Sequence, residues 1–144
     1  MIKYIVVAVS FFITGLLASQ VMGRNNQQAG YILEHEKDIA NPQPGPHDGG
    51  GKTTAYNFFS GATDFRLAFR KRALHPGSAI GYHLQKEDEI YYVLSGHGQM
   101  EMNGKTFDVH PGDAILTRPG SSHGLKHTGK DDLVIMINYI QVPK

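Results

Sequence analysis

The feature that most limits the possible folds is a succession of short β-prone segments, closed by glycine or proline, from Thr54 onward. Short runs of β-branched and aromatic residues with alternating polarity are typical of strands. The predicted strands are 55–59, 65–73, 79–85, 89–94, 99–103, 106–109, 114–117, 123–127 and 133–140. Asn103-Gly104 separates two of them, and this dipeptide is a strong signal for a two-residue hairpin turn. Because no helical periodicity follows the N-terminal segment, the sequence predicts an all-β protein, either an antiparallel sandwich or a barrel.

Composition restricts both the partners and the possible sites. The chain has 144 residues and a formal net charge of +1, which suits one modest globular domain. No cluster of Lys and Arg provides the basic surface that nucleic acid requires, so no nucleic-acid partner is predicted. Cysteine is absent. Disulfides and thiolate zinc sites are therefore excluded, and any metal must be held by His and oxygen ligands.

The N-terminal residues have the pattern of an export signal. Lys3 precedes an apolar run, 4–18, and small residues follow that run. The run is shorter than the roughly 20 residues that span a bilayer. We therefore expect residues 1–23 to be a signal peptide, with an uncleaved N-terminal anchor as the alternative. In either case the sequence predicts a periplasmic or secreted protein with no membrane contact beyond this signal.

The segment between the signal and the strands is predicted to be irregular. Residues 41–51 are so dense in proline and glycine that we expect no regular structure there, only a flexible tether or an arm laid over the barrel. Gly51-Lys52-Thr53 does not form a phosphate-binding loop, because Pro46 stands where its first glycine belongs. The predicted organisation is a signal peptide at 1–23, an N-terminal arm at 24–54 and a β-barrel domain at 55–144.

Four polar residues in two stretches form a candidate site. His83 and Gln85 are two residues apart, so on a strand both side chains leave the same face. Glu89 follows after a polar segment, 86–88, that is typical of a turn. If the chain reverses there, the carboxylate of Glu89 comes to lie opposite the imidazole of His83. His123, in the second stretch, is the candidate fourth member.

The spacing of these residues resembles the two motifs of the cupin superfamily. The first resemblance is Gly77, five residues, His83, one residue, Gln85, three residues, Glu89, six residues and Gly96, with Gln85 where the family usually has a second His. The second is Gly112, seven residues, Gly120, two residues and His123; its proline is displaced by one to Pro119, and His127 stands at the usual Asn position. The resemblance covers about 65–139. It implies a cupin-type double-stranded jelly-roll barrel, whose interior can hold a metal or a small ligand.

The resemblance also implies a ligand set. His83, Glu89 and His123 are expected to coordinate a divalent metal ion, and Gln85 is expected to be a weaker fourth ligand or a hydrogen-bonding wall residue. Two imidazoles and one carboxylate suit Zn, Mn or Fe, and an amide oxygen in place of an imidazole disfavours Cu and Ni.

Five further residues are candidates for the pocket, each with a structural alternative. Tyr91 shares the parity of Glu89 and is either a proton donor or a core residue. His127 has the parity of His123 and faces either the cavity or solvent. Arg118 holds either a substrate carboxylate or a surface ion pair, and Arg70 has the same possible substrate role. His47, in the glycine-rich arm, either closes over the site or is part of a mobile tail.

Three functions are compatible with these residues. The first is an exported metal-binding enzyme that acts on a small oxygen-rich molecule (a sugar, sugar acid or hydroxy acid) by isomerase or lyase chemistry. The second is a ferrous dioxygenase. The third is a non-catalytic barrel that binds a metal or a small molecule. The resemblance implies a homodimer formed by sheet extension, and we expect the apolar segment 56–59 to be its edge strand.

Overall fold

Residues 30–141 are described by a computed structural model; the predicted signal peptide and residues 24–29 of the predicted arm lie outside the described residues. The described part contains ten strands and one short helix. In chain order they are α1 (Glu36–Ile39), β1 (Ala40–Pro44), β2 (Lys52–Phe58), β3 (Leu67–Leu74), β4 (Ala79–Leu84), β5 (Glu89–Ser95), β6 (Gly98–Met102), β7 (Lys105–Val109), β8 (Ala114–Thr117), β9 (Ser122–His127) and β10 (Leu133–Ile140).

The strands form two antiparallel sheets around a shared core. The larger sheet has the order β1-β2-β3-β10-β5-β8, and the smaller has the order β4-β9-β6-β7. The core draws on both sheets: Leu74, Tyr91, Val93, Leu133 and Ile135 come from the larger one, and Ile80, Met100 and Leu125 from the smaller. The all-β double-stranded barrel predicted from the sequence is confirmed.

Side-chain alternation along β5 places the site residues on the inner face. Glu89, Tyr91 and Val93 are buried, and the residues between them are exposed. This is the two-residue period of a strand with one face in the core. The predicted hairpin at Asn103-Gly104 is also present. Both residues have positive φ, 50° and 77°, as a type I′ turn requires.

The prediction of an irregular arm over 24–54 is wrong for much of the described segment. A helical turn, α1, leads into β1, and β1 pairs with β2 from Ala40 opposite Tyr56 to Pro44 opposite Lys52. Proline tolerates this position because β1 is the edge of its sheet, where a missing N–H donor leaves no neighbouring strand unpaired. Of the predicted edge at 56–59, β1 covers only Tyr56, because the register ends at Ala40 opposite Tyr56. The homodimer itself stays a prediction.

The loop at 45–51, which joins β1 to β2, lies against β4. The Gly81 N–H donates a hydrogen bond to the Pro46 carbonyl at 2.9 Å. A Cβ at Gly45 or at Gly49 would stand 2.1 Å from the Ala79 carbonyl oxygen, and one at Gly81 would stand 1.8 Å from the His47 carbonyl oxygen. This contact of backbone against backbone requires glycine. Of the two expectations for the segment, the arm laid over the barrel is the one observed.

Within residues 30–141, no helix is both long enough and apolar enough to cross a membrane.

The core position of Leu133 generates a stability prediction. Its side chain is fully buried at the start of β10. We expect Leu133→Ala to lower the free energy of unfolding by about 2–5 kcal/mol, because it removes buried apolar atoms and leaves a cavity. Urea titration followed by circular dichroism measures the change. Leu84→Ala is the matched control: that side chain is 58% exposed, so we expect a change within about 0.5 kcal/mol. Equal losses in the two variants would contradict the assigned core.

Candidate metal centre

The pairing of β4 with β9 brings two predicted ligands together. His83 lies directly opposite His123 in the register, after an irregularity between Ile80 and His83. The centroids of the two imidazole rings are 4.4 Å apart. His83 Nδ1 is 2.8 Å from the Gly81 carbonyl oxygen, which can only accept a hydrogen bond. Nδ1 therefore carries the proton, and the Nε2 lone pair of His83 is free to bind an ion.

Glu89 reaches the imidazole of His123 from the opposite sheet. Its Oε2 lies 3.6 Å from His123 Nε2, and its side chain is 10% exposed. Glu89 Oε2 and His123 Nδ1 are both buried without a hydrogen-bond partner. Buried polar atoms are normally satisfied, and leaving a charged oxygen unsatisfied is costly. The unpartnered Oε2 of Glu89, beside His123 Nε2, therefore marks a place where a further group, such as a cation, would be stabilised.

Tyr91 completes the inner layer. Its hydroxyl lies 3.0 Å from His123 Nε2, and the residue is 2% exposed. Burial, and then the negative charge of Glu89, raise the pKa of the Tyr91 hydroxyl well above its usual value. Tyr91 therefore keeps its proton at neutral pH and can donate it. The position fits the predicted proton donor, although the same residue also belongs to the core.

Gln85 serves the turn that follows it. Its Nε2 donates to the Glu87 carbonyl at 2.8 Å, and the residue is 6% exposed. Its backbone is also fixed, because its N–H donates to the Ser121 carbonyl and its carbonyl accepts from the Gly120 N–H. This contact engages only Nε2, so whether Oε1 of Gln85 binds a metal stays a prediction.

The structure does not bring His127 and Arg118 to this group of side chains. His127 is buried, but its Nε2 is bonded to the Asp131 carbonyl at 2.8 Å, at the far end of β9. Four residues along a strand separate it from His123 by about 13 Å. Arg118 pairs with Asp88 at 2.7 Å, and its side chain is 69% exposed. It takes its structural alternative, a surface ion pair.

Arg72 is a functional candidate that the sequence reasoning missed. It lies on β3 opposite the buried Ile135, which places it on the inner face of the sheet. Its guanidinium donates to Thr53 Oγ1 at 2.8 Å and lies 3.4 Å from Gln43 Oε1. Within residues 30–141 it forms no salt bridge. Burial, and then the charge of Arg70, lower the pKa of Arg72.

The signal that could have identified Arg72 is the alternation of β3. The sequence shows apolar residues on one face and arginines on the other, and such a strand usually buries its apolar face. Here Leu67 and Phe69 are each 37% exposed, while Arg70 and Arg72 face inward. Arg70 packs over the Tyr139 ring, with 5.1 Å between its guanidinium carbon and the ring centroid.

His47 joins the site from the loop between β1 and β2. Its ring stacks on His83, with centroids 3.5 Å apart and an interplanar angle of 5°. Burial, and then the nearby imidazole of His83, lower the pKa of His47. Of its two alternatives, closure over the site is the one that the structure shows.

The donor atoms fit a divalent cation, although they are not already closed around one. Within residues 30–141 no three His, Asp or Glu side chains are gathered as a finished metal cluster. The lone pair of His83 Nε2 is free, and the orphaned Oε2 of Glu89 faces His123. A nitrogen and carboxylate set of this kind is suited to Zn, Mn or Fe.

Comparison with known proteins adds curated relatives. An oxalate-binding protein of Thermotoga maritima is 42% identical over 66 residues, which are 45% of this chain and 54% of that protein. A 5-nitrosalicylic acid 1,2-dioxygenase of a Bradyrhizobium species is 29% identical over 66 residues, 45% of this chain and 32% of that protein. These matches span only about half and a third of the two relatives.

A solved structure and a family model agree with these relatives. The crystal structure of a predicted oxalate decarboxylase from Thermotoga maritima superposes with a TM-score of 0.70 at 30% identity, covering 77% of this chain and 100% of the other. Residues 71–139 match the model of the cupin domain. Together with the two-sheet barrel described above, these findings establish that the chain belongs to the cupin superfamily.

Proposed function

We propose that this cupin binds a divalent metal ion through His83, His123 and Glu89, and that a small carboxylic acid of the oxalate type binds at that ion. The observation that carries the proposal is Arg72. Its inward-facing guanidinium lacks an acidic partner within the described residues and shares the barrel interior with an incompletely hydrogen-bonded His and Glu group.

The ligand roles follow from the hydrogen bonds of each residue. The bond to the Gly81 carbonyl fixes the His83 ring with Nε2 free, and Glu89 supplies an anionic oxygen. A bound ion of this class supplies Lewis acidity, which polarises a carboxylate or hydroxyl oxygen of the substrate. The metal identity stays open among Zn, Mn and Fe.

Arg72 is the group that selects an acid. A guanidinium binds a carboxylate through two parallel hydrogen bonds, and its charge stays fixed at physiological pH. Thr53 and Gln43 hold the Arg72 side chain in place, so that little conformational freedom is lost on binding. Among the oxygen-rich molecules predicted from the sequence, the acids therefore fit best. The Thermotoga relatives, an oxalate-binding protein and a predicted oxalate decarboxylase, support the same choice.

Tyr91 gives the site a means of proton transfer. Lyase and isomerase reactions of acids need a proton delivered to or removed from the substrate. The Tyr91 hydroxyl is protonated at neutral pH and lies 3.0 Å from His123. We therefore propose lyase or isomerase chemistry on the bound acid, in a protein that residues 1–23 direct to the periplasm or the exterior.

The ligand set generates the first prediction. We expect His83→Ala and Glu89→Ala each to weaken Zn²⁺ binding at least about tenfold, because loss of even a supporting residue at a metal site has that cost. Gln85→Ala is the matched control and should retain binding, because the Gln85 amide serves the turn. Elemental analysis and chelator competition measure the result, with circular dichroism to verify folding. Metal content unchanged in all three variants would refute the site.

The second prediction concerns Arg72. We expect Arg72→Met to lower the affinity of the metal-loaded protein for oxalate by about tenfold or more, since a hydrogen bond to a charged group contributes about 1.5–3 kcal/mol. Isothermal titration calorimetry measures the affinity. Arg118→Met is the matched control and should bind within about twofold of the unmodified protein, because Arg118 is paired at the surface. If the two variants lose affinity equally, Arg72 is not the acid-binding group.

One observation favours a second function. The barrel strands offer two His and one carboxylate, the set used by non-haem ferrous oxygenases. The Bradyrhizobium relative is a dioxygenase named for an aromatic hydroxy acid.

An oxygen electrode separates the two functions. With ferrous iron bound, lyase or isomerase action on oxalate-type acids predicts no stoichiometric oxygen uptake, because no oxygen atom enters the product. Oxygen uptake that matches the loss of a salicylate-type acid would instead support the dioxygenase. Iron-free protein is the control for background oxidation.

A further inference from the structure

The barrel strands supply fewer imidazoles than the family motif usually provides. The position of the second His in the first motif is occupied by Gln85, and its amide nitrogen is bonded to the Glu87 carbonyl at 2.8 Å. His83 and His123 are therefore the imidazoles that β4 and β9 bring to the site. An ion held by these two rings and Glu89 keeps open coordination positions.

A third imidazole reaches the same place from outside the barrel strands. His47 stacks on His83 with 3.5 Å between centroids, and His83 is in turn 4.4 Å from His123. The three rings thus form one continuous group. The His47 residue is exposed to solvent.

The loop that holds His47 is fixed by backbone contacts. Gly45 and Gly49 each approach the Ala79 carbonyl too closely for a side chain, and Gly81 does the same toward the His47 carbonyl. His47 and Asp48 both adopt positive φ, 53° and 58°, a conformation that non-glycine residues rarely take. Residues held in such a conformation cost free energy and persist where the surroundings fix them, which is common at ligand sites.

From this geometry we propose that His47 is a third imidazole ligand of the metal ion, taking the coordination position that Gln85 leaves. The inference rests on the proposed metal site of His83, His123 and Glu89. The parallel rings of the metal-free arrangement are not yet aimed at one point. Binding therefore requires the His47 ring to tilt off His83, while the loop backbone keeps its contacts with β4.

The consequence is a different coordination sphere. Three imidazoles and one carboxylate form a softer set than two imidazoles, an amide oxygen and a carboxylate, and imidazole suits Zn, Fe, Cu and Ni alike. The extra ligand also leaves one fewer open position on the ion.

The experiment compares three side chains at position 47 in the full chain. His47→Ala removes the ring, and His47→Phe keeps an aromatic ring able to stack on His83 but has no nitrogen to coordinate. If His47 is a ligand, both variants weaken Zn²⁺ binding at least about tenfold in a chelator competition. If His47 only supports His83 by stacking, His47→Phe binds Zn²⁺ as the unmodified protein does, and the proposal is overturned.

A spectroscopic count gives a second readout. With Cu²⁺ as the probe, electron spin echo modulation reports the number of coordinated imidazoles. We expect three in the unmodified protein and two in His47→Phe. A count of two in both proteins would rule out coordination by His47.

Two further variants test the loop and the motif position that Gln85 occupies. Gly45→Ala should displace the loop and reproduce the affinity loss without altering a ligand, whereas Gly61→Ala, which has open space around it, is the matched control. Gln85→His in the His47→Ala background should restore affinity.

Failure of the inference and failure of the proposed function are distinguishable. If His83→Ala loses Zn²⁺ but His47→Ala does not, only the inference falls; if neither variant changes binding, the metal site itself falls.

Discussion

The direct pairing of His83 with His123 across β4 and β9 is the constraint on which the site depends. Both rings leave the inner face of the smaller sheet, and Glu89, the first residue of β5 in the larger sheet, reaches His123. A one-residue slip in either strand would turn an imidazole to the outer face, because side chains alternate with a period of two. The core that joins the sheets therefore sets the geometry of the polar group as well as the stability of the barrel.

The N-terminal part of the described chain contributes half of the surroundings of this group. Gln43 from β1 and Thr53 from β2 hold the Arg72 guanidinium, and the loop between those strands places His47 on His83. The glycines that let this loop lie against β4 are thus part of the site's architecture. A segment whose composition suggests a linker therefore supplies the hydrogen-bond partners of Arg72 and the imidazole of His47.

The sequence predicted the barrel because the strand pattern and the turns depend on local spacing. The shared parity of His83 and Gln85, and the hairpin at Asn103-Gly104, are properties of single strands and turns. The grouping of His83, Glu89 and His123 was expected from the resemblance to the cupin motifs. The prediction failed at β1, because a segment dense in proline and glycine does not look like a strand. Proline is nevertheless compatible with an edge strand, where a residue without an N–H donor leaves no neighbouring strand unpaired.

The inward position of Arg72 was missed for a different reason. Alternation shows that the arginines and the apolar residues of β3 lie on opposite faces, but it does not show which face the fold encloses. For His127 and Arg118, the sequence could not predict the hydrogen-bond partners. Parity and nearness to the second motif made them candidates for the pocket. In the structure His127 is bonded to the Asp131 carbonyl and Arg118 to the Asp88 carboxylate.

The site is also where the barrel gives up stability. Three groups are unfavourable in a low-dielectric interior. Glu89 Oε2 and His123 Nδ1 are buried without hydrogen-bond partners. The inward guanidinium of Arg72 lacks an acidic partner among residues 30–141. Their charges are of opposite sign, yet Arg72 is bonded to Thr53 and does not pair with Glu89. Glu89 and Arg72 therefore do not neutralise each other directly. A ligand that binds only the folded chain stabilises it by about 2.7 kcal/mol at one hundred times its Kd. Under the proposed function, the metal and the acid would each stabilise the folded chain in this way.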